Sequence, residues 1–328
     1  MKCQSKVVHF VVVLFQLLEI KMEKNVNSIL MIRPSSFRKN IQTSKNNFFQ
    51  KKIKPEKKQN ILEQSIKEFD RLVSKLINCG FKVYTFQDDL KNDTPDSIFP
   101  NNWITFHHNK TIALFPMYAK NRRLERDQRV LEFLESKNLI FNEIYNYSEA
   151  ENDGIFLEGT GSMVLDRINK KAYCSLSERT DCGLLIEFCE DFKYIPIIFN
   201  SYHNVNMKRK PIYHTNIMMC MAIKYCIICL NSIDCKEEKK SIINSLTDDK
   251  KEIIEISEYQ LELFAGNMIE LINEKGSFLF MSESAYKALD KNQINKISKY
   301  SNIIYSPVST IESFGGGSVR CMIAEIFN

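Results

Sequence analysis

Residues 102–116, with the sequence NWITFHHNKTIALFP, hold the pattern that decides the fold. Two short apolar and β-branched runs flank the polar turn His108-Asn109-Lys110, a pattern that predicts a β-hairpin. A small polar residue followed by such runs recurs about every 50–60 residues, a period typical of propellers and other repeat arrays. The recurring units begin at Asn102, Ser162, Asn216, Asn267 and Ser318.

Each hairpin is followed by helix-like sequence and a further strand, so each unit is of a ββαβ type. The clearest helix pattern spans residues 57–78, with Gly80 at its C-terminal cap position. One face of that helix carries Leu62, Ile66, Phe69, Val73 and Leu76.

The fifth unit has no second strand after it, and residues 29–34 (ILMIRP) resemble residues 113–116 (ALFP) of the first hairpin. Pairing the two ends of the chain would close the units into a ring without an open edge. We therefore expect an α/β protein, a five-fold pseudosymmetric α/β propeller of ββαβ-type units around a central active site. The alternative is an α/β protein whose hairpins merely fall at loose intervals.

Residues 23–328 are expected to form this single domain, with residues 1–22 as an apolar extension. Within that extension, residues 7–18 are too short an apolar run to span a bilayer and resemble the central region of a signal peptide. No cleavage site of small residues follows the run. The alternative is that translation starts at Met22, because the regular pattern begins only at Asn27.

The composition bounds the classes of function. With 44% apolar and 26% charged residues and a net charge of +5, the chain is typical of a soluble globular protein. Its densest basic stretch, residues 51–58, has no interleaved aromatic residue, which favours a solvated loop over a nucleic-acid site.

The ten cysteines predict a reduced protein of the cytoplasm, because several of them lie inside apolar runs. Cys226 and Cys229 have C-x-x-C spacing but no second pair, so we interpret them as core residues rather than zinc ligands. The sequence also lacks a dinucleotide fingerprint and a P-loop. We expect no metal, no cofactor, and no nucleic-acid or membrane partner, and leave association into a homo-oligomer open.

A cysteine follows the most flexible stretch of the sequence. The run Gly315-Gly316-Gly317 lets the backbone approach a ligand closely just before Cys321. A nucleophilic thiol needs access, nearby N–H donors and a rigid element behind it, which residues 322–327 would supply as a strand. Taken alone, Cys321 is equally well interpreted as a buried, inert cysteine.

If the units surround an axis, the residues at the start of each unit meet at one centre. Those residues are Asp96, Asn101, Asn102, Glu158, His214, Asn216, Gly266, Asn267 and Cys321. A thiol, an imidazole and a carboxylate from three units would supply a nucleophile, an acid/base and an orienting group. Taken one at a time, these residues have other interpretations. His214 could be a core histidine and Glu158 a turn carboxylate, and the asparagines could cap turns. His107, His108 and His203 lack this placement, and we expect them at the surface or in turns.

The motifs together resemble the guanidino-group-modifying family, the amidinotransferase or pentein superfamily, over residues 23–328. The resemblance is carried by FPNNW (99–103), LEGTGS (157–162), LSERTD (176–181), YHTN (213–216) and the terminal GGGSVRC (315–321). It implies five ββαβ-type units around a central site, and it is strongest to the branch of citrulline-utilising hydrolases.

By position, the resemblance implies that Cys321 is the nucleophile, His214 the acid/base and Glu158 a carboxylate that holds substrate or histidine. It further implies that Arg179 binds the substrate α-carboxylate, a role that suits the guanidinium fork, with Arg123 a weaker second candidate. The residues at positions 96, 101, 102 and 216 would bind the rest of the substrate.

Two positions depart from arginine deiminases, which have aspartates where this chain has Asn102 and Asn216. An amide both donates and accepts hydrogen bonds but lacks the charge that grips a guanidinium, so it suits a neutral ureido group. The expected activity is hydrolysis of citrulline to ornithine, CO2 and ammonia through an S-carbamoyl-cysteine. The alternatives are a deiminase or hydrolase of arginine, methylarginine or agmatine, an amidinotransferase, and a non-catalytic binding protein.

Overall fold

The computed structural model describes residues 26, 28–50 and 60–327, in which the regular elements are short. The strands are β1 (Ser28–Arg33), β2 (Lys82–Gln87), β3 (Ile104–His107), β4 (Thr111–Leu114), β5 (Glu143–Asn146), β6 (Met163–Asp166), β7 (Lys171–Ser175), β8 (Ile195–Phe199), β9 (Tyr202–Val205), β10 (Lys208–Pro211), β11 (Met219–Met221), β12 (Tyr225–Ile228), β13 (Glu252–Glu255), β14 (Ile269–Asn273), β15 (Gly276–Ser282), β16 (Asn302–Ser306) and β17 (Ala324–Ile326). The helices are α1 (Ile61–Asn78), α2 (Lys120–Arg123), α3 (Gln128–Ser136), α4 (Gly159–Ser162), α5 (Cys182–Phe192), α6 (Lys236–Asp248), α7 (Glu258–Glu262), α8 (Glu283–Ala288), α9 (Lys291–Ser298) and α10 (Ser309–Gly315).

Across the described residues, these strands form five three-stranded sheets and one two-stranded ribbon, β9–β10. Each three-stranded sheet has the same order: its first strand pairs antiparallel with the middle strand, which pairs parallel with the third. A parallel connection needs a crossover, and helices lie between the middle and third strands of every sheet. The result is a mixed α/β fold of small sheets.

The two ends of the chain meet in one sheet. Strand β17 pairs antiparallel with β1, with Leu30 opposite Ala324, so the predicted pairing of the terminal segments is confirmed. Strand β1 also pairs parallel with β2 through the crossover helix α1.

Helix α1 begins at Ile61, later than the predicted start at residue 57, which lies outside the described residues. Its end is as predicted: Gly80 has φ of +95°, and the N–H groups of Gly80 and Phe81 donate to the carbonyls of Ile77 and Leu76. Phe69, Leu72 and Leu76 form its buried face. The apolar extension 1–22 and the basic stretch 51–58 also lie outside the description.

The core is divided among the sheets, and the largest cluster contains both Cys226 and Cys229. The expectation that His107 and His203 lie at the surface or in turns was wrong, because both are buried. His107 stacks on Phe192, and His203 stacks on Phe49 with ring centroids 4.8 Å apart. Among the described residues, no helix combines the length and apolar character needed to cross a bilayer.

Each predicted unit start lies on a short turn just before the first strand of a sheet. Asn102 ends the turn Pro100–Asn102 before β3, and Ser162 ends α4 before β6. Asn216 lies in the turn Thr215–Ile217 before β11, and Asn267 precedes β14. The first strands also contact one another: β17 lies against β3, and β11 against β6 and β14. The turns that carry the candidate site residues are therefore brought together.

Candidate active site

Cys321 lies in a buried turn, Val319–Met322, directly before β17. Helix α10 ends at Gly315, and Gly316 takes the left-handed conformation with φ of +67°. This reversal lets the chain turn back toward the centre before the cysteine. Only 2% of Cys321 is exposed, so a substrate must be enclosed to reach its sulfur.

Two side-chain amides donate to the sulfur of Cys321. Nδ2 of Asn267 lies 3.2 Å from Sγ, and Nδ2 of Asn216 lies 3.4 Å from it. Both asparagines are buried, and the Oδ1 atom of each has no hydrogen-bond partner within the described residues. The sulfur is therefore held by neutral donors, which stabilise a thiolate more than a thiol.

His214 and Glu158 form a buried pair from different units. The imidazole Nε2 lies 2.8 Å from Oε2 of Glu158. A carboxylate only accepts hydrogen bonds, so Nε2 carries the proton and Nδ1 is left as the basic nitrogen. Burial lowers the pKa of His214 to about 4, although its bond to Glu158 opposes the shift.

Glu158 is surrounded by hydrogen-bond donors and positive charge. Its Oε1 accepts from the backbone N–H of Tyr118 at 3.0 Å, and Nη1 of Arg179 lies 3.4 Å from Oε2. Arg122 Nη1 lies 3.8 Å from the same oxygen. Burial opposes ionisation of Glu158, but Arg179, His214 and Arg122 outweigh it and hold the carboxyl pKa well below its usual range.

Gly161 makes the close packing of this pair with the first unit possible. A Cβ at Gly161 would lie 2.7 Å from Nδ1 of His214 and 2.4 Å from Nδ2 of Asn102. Any side chain at this position would therefore displace the imidazole or the amide.

The asparagines of the first unit belong to a hydrogen-bond network around Arg122. Oδ1 of Asn102 accepts from Nη1 of Arg122 at 2.8 Å, while its Nδ2 donates to Oδ1 of Asn101. Arg122 also donates to Glu125 through its Nε and Nη2 atoms, each at 2.9 Å. Asn102 therefore has a fixed orientation before any ligand arrives.

Asp96 lies on the other side of Arg122, 3.9 Å from its Nε. Its Oδ2 accepts from Asn40 at 2.8 Å and from Thr43 at 3.2 Å, whereas its buried Oδ1 has no hydrogen-bond partner among the described residues. Burial raises the pKa of this carboxyl, although Arg122 counters the shift.

A covering segment, residues 40–50, closes the site from outside. Nε of Arg179 donates to Oδ1 of Asn46 at 3.1 Å, and Nη2 donates to the carbonyl of Thr43 at 3.1 Å. Asn47 and Gln50 both donate to the carbonyl of Gly315. Arg179 also lies over the ring of Tyr213, 4.6 Å from its centroid. The segment thus occupies the guanidinium of Arg179.

The remaining space is a small cavity of about 10 Å³, lined by Asp96, Asn102, Arg122, Arg179, His214 and Cys321 among others. A volume of this size holds about one water molecule. This space is too small to hold an amino acid.

The structure brings together most of the predicted site residues but not Arg123. Nε of Arg123 donates to the carbonyl of Met117 and lies 3.7 Å from Glu151, and the residue does not line the cavity around Cys321. Its neighbour Arg122 takes the inward place on α2. Within the described residues, no group of three or more histidine, cysteine or acidic side chains is arranged to hold a metal ion.

Sequence reasoning missed two contributors. Asn267 was predicted to lie at the centre as the start of a repeat unit, but it was given no role there. Arg122 could not be separated from Arg123, because adjacent residues on a one-turn helix differ only in direction.

Several solved structures are similar in fold. The N-terminal domain of ArgZ, a cyanobacterial arginine dihydrolase bound to substrate, superposes with a TM-score of 0.67 at 15% identity, covering 92% of this chain and 98% of that domain. A mutant of AgrE bound to L-arginine gives a TM-score of 0.67 at 15% identity over 91% of this chain, but only 40% of that longer protein is spanned. A dimethylarginine dimethylaminohydrolase adduct with S-methyl-L-thiocitrulline gives a TM-score of 0.60 at 14% identity, covering 92% of this chain and 100% of that protein chain.

These likenesses establish the fold, and no curated protein sequence matches the chain. Together with a family match over residues 33–328, the fold and the central cluster define a member of the guanidino-group-modifying pentein superfamily. More narrowly, residues 33–328 match the model of the eukaryotic N,N dimethylarginine dimethylhydrolase family, to which the chain belongs. Its named relatives are hydrolases that act on guanidino C–N bonds.

Proposed function

We propose that the five three-stranded sheets stand in five-fold order around the site and that residues 23–328 form one catalytic domain. The shared strand order of the sheets supports this arrangement, as do the contacts between their first strands. A ring explains why turns from distant parts of the chain contribute to one cavity.

We further propose that the protein is a cysteine-dependent hydrolase of the ureido group of citrulline, yielding ornithine, CO2 and ammonia. The observation that carries the proposal is that the side chains hydrogen-bonded to Cys321 Sγ are the amides of Asn216 and Asn267. Uncharged donors and acceptors suit a neutral ureido group better than a cationic guanidinium.

In the first half-reaction, Nδ1 of His214 takes the thiol proton of Cys321, the thiolate attacks the ureido carbon, and the bond from that carbon to the δ-nitrogen breaks. Ornithine leaves after His214 protonates its δ-nitrogen, and a carbamoyl group remains on sulfur. Asparagine amides and the backbone N–H groups near Gly317 and Ser318 would stabilise the oxyanion.

In the second half-reaction, His214 takes a proton from water, and the hydroxide attacks the carbamoyl carbon. The carbon–sulfur bond breaks, the thiolate returns, and the released carbamate decays to CO2 and ammonia. Glu158 keeps the imidazole in the tautomer whose Nδ1 exchanges these protons and stabilises it when protonated.

Arg179 would bind the α-carboxylate of the amino acid through its guanidinium fork, as the covering segment gives up its contacts to that group. Asp96, Asn101, Asn102 and Asn216 would position the remainder of the substrate. We keep Arg123 as a weaker candidate, since it would reach the substrate only after leaving Met117 and Glu151. We also propose a cytoplasmic location, which the free state of the nine described cysteines supports.

Product identification tests the proposal. Purified protein is incubated with citrulline and, separately, with arginine, and ornithine and ammonia are measured. Ornithine from citrulline is expected, together with a carbamoyl adduct on Cys321 in the acid-quenched protein by mass spectrometry. Cys321→Ser should abolish both, while Cys220→Ser, a change at a buried cysteine of β11, serves as the matched control. Full turnover by Cys321→Ser would refute the assignment.

A second candidate is hydrolysis of a guanidino compound: arginine, a methylated arginine or agmatine. The family match favours it, and so does the unpaired Oδ1 of Asp96, a carboxylate in the cavity wall that could face a guanidinium. Citrulline produced from arginine would support this candidate. Ornithine from both substrates would indicate a dihydrolase, and transfer of an amidino group to an added amine would indicate an amidinotransferase. Absence of any thiol-dependent reaction would favour a binding protein.

A further inference from the structure

Asn267 is one of the two amides that donate to the sulfur of Cys321, and the reaction steps above give it no part before substrate binds. It is fully buried, and its Nδ2 reaches two acceptors: the carbonyl of Asn216 at 2.9 Å and the sulfur of Cys321 at 3.2 Å. Asn216 and Asn267 begin two successive repeat units, and Cys321 follows Ser318, which begins the next unit. The side chain of Asn267 therefore joins the turn that follows His214 to the nucleophile.

The backbone carbonyl fixes which end of this amide faces the sulfur. A carbonyl only accepts hydrogen bonds, so the NH2 group of Asn267, and not its oxygen, must lie on the side of Asn216. The second proton of the same NH2 group then points to Sγ. A donor at this distance favours the anionic form of sulfur over the thiol.

The preceding residue makes the contact possible. A Cβ at Gly266 would lie 2.3 Å from the carbonyl oxygen of Ile217 and 2.7 Å from the carbonyl carbon of Met218, both of them backbone atoms. Only glycine lets the turn before β14 press against the turn at Thr215–Ile217 this closely. The backbone is thus shaped to deliver the amide of Asn267 to the sulfur.

We propose that Asn267 is a further residue of the reactive centre: its NH2 group stabilises the thiolate of Cys321 and fixes the direction of the sulfur. The inference rests on the role given to Cys321 in the proposed function. It does not depend on which ureido or guanidino compound is the substrate, because the donor acts on the free enzyme.

The test uses the full-length protein and iodoacetamide, with alkylation of Cys321 followed by peptide mass spectrometry as a function of pH. Asn267→Ser removes the donor without adding charge. Gln293→Ser is the matched control, because Gln293 of α9 is a buried amide outside the site that donates to the carbonyl of Glu255 and to Gln260 rather than to sulfur. Thermal unfolding of each variant shows that it is folded, and Asn267→Ala, which also removes the NH2 group without adding charge, replaces Asn267→Ser if that variant does not fold.

Loss of a hydrogen bond to a charged group changes the thiolate fraction by about tenfold to a hundredfold. The midpoint of alkylation is therefore expected to rise by about one to two pH units in Asn267→Ser and to stay in place in Gln293→Ser. Turnover should fall most at neutral pH and recover at higher pH, which a merely structural defect would not produce.

A profile for the folded Asn267 variant that superimposes on the parent profile overturns the inference, and so does an equal shift in Gln293→Ser. If the parent protein fails to hydrolyse citrulline but the alkylation midpoint still rises in Asn267→Ser, the proposed substrate is wrong and the role of Asn267 stands.

Discussion

Replacing Glu158 with glutamine removes one charge from the centre while keeping the shape of the side chain. In the parent, Oε1 accepts from the N–H of Tyr118, while Oε2 accepts from His214 and Arg179. A glutamine amide has a single acceptor oxygen, so at least one of these donors must face an NH2 group. Arg179 and Arg122 also lose the carboxylate between them.

The cost follows from the burial of every partner. Removing one member of a buried ion pair lowers the free energy of unfolding by about 3–5 kcal/mol. At about 2 °C per kcal/mol, the low end of the scale that suits a long chain, the melting temperature of Glu158→Gln should fall by about 6–10 °C. Without the carboxylate, His214 loses the partner that fixes its tautomer and stabilises its protonated form, so kcat should fall by about 100- to 10,000-fold.

Thermal unfolding and steady-state turnover of citrulline measure the two effects. The control is Glu125→Gln, which removes a buried carboxylate from the same group of arginines but one that pairs with Arg122 rather than with His214. It should lower the melting temperature comparably and reduce turnover far less. The reasoning is refuted if Glu158→Gln retains parent kcat, or if Glu125→Gln loses as much turnover as Glu158→Gln does.

Asn102→Asp should shift the substrate preference from citrulline toward arginine, because Arg122 can compensate the new negative charge. If the ratio of kcat/KM for arginine to kcat/KM for citrulline is the same in variant and parent, this prediction is wrong. Asn46→Ala should lower KM several-fold with kcat maintained, because Asn46 competes with a substrate carboxylate for Arg179; an unaltered KM would count against that competition. His214 and His203 are buried, and each has a pKa of about 4. Between pH 6.5 and 4, these histidines therefore bind protons in the unfolded chain but not in the folded protein. The free energy of unfolding should fall by about 3 kcal/mol per histidine as the pH is lowered through this range. Urea unfolding at several pH values measures this loss, and it should be smaller in His203→Phe; equal losses in parent and variant would argue against the assignment.

Much of the architecture could be predicted from local patterns. Hairpins with a constant period, and the likeness between residues 29–34 and 113–116, were enough to predict that the chain ends pair, as Leu30 and Ala324 do. Helix α1 was predictable from its apolar face and Gly80, because both signals are local. The histidines at 107 and 203 were misplaced, since their burial comes from aromatic rings, Phe192 and Phe49, distant in sequence.

The site could be predicted only in part, for a similar reason. Cys321 and His214 were named from their positions in the repeat, and both line the central cavity. The covering segment escaped notice because its contacts, such as Asn46 to Arg179, join residues far apart and leave no periodic pattern. The choice between Arg122 and Arg123 depended on the direction of a single helical turn.

The pairing of β1 with β17 has a consequence for synthesis on the ribosome. The two strands lie about 290 residues apart along the chain, so at ordinary rates of translation β1 waits about 15–60 s for its antiparallel neighbour. During that interval one side of β1 is unsatisfied in the nascent chain, and Cys321 is made only near its end. A polypeptide released before residue 321 therefore carries the imidazole and the carboxylate but not the proposed nucleophile.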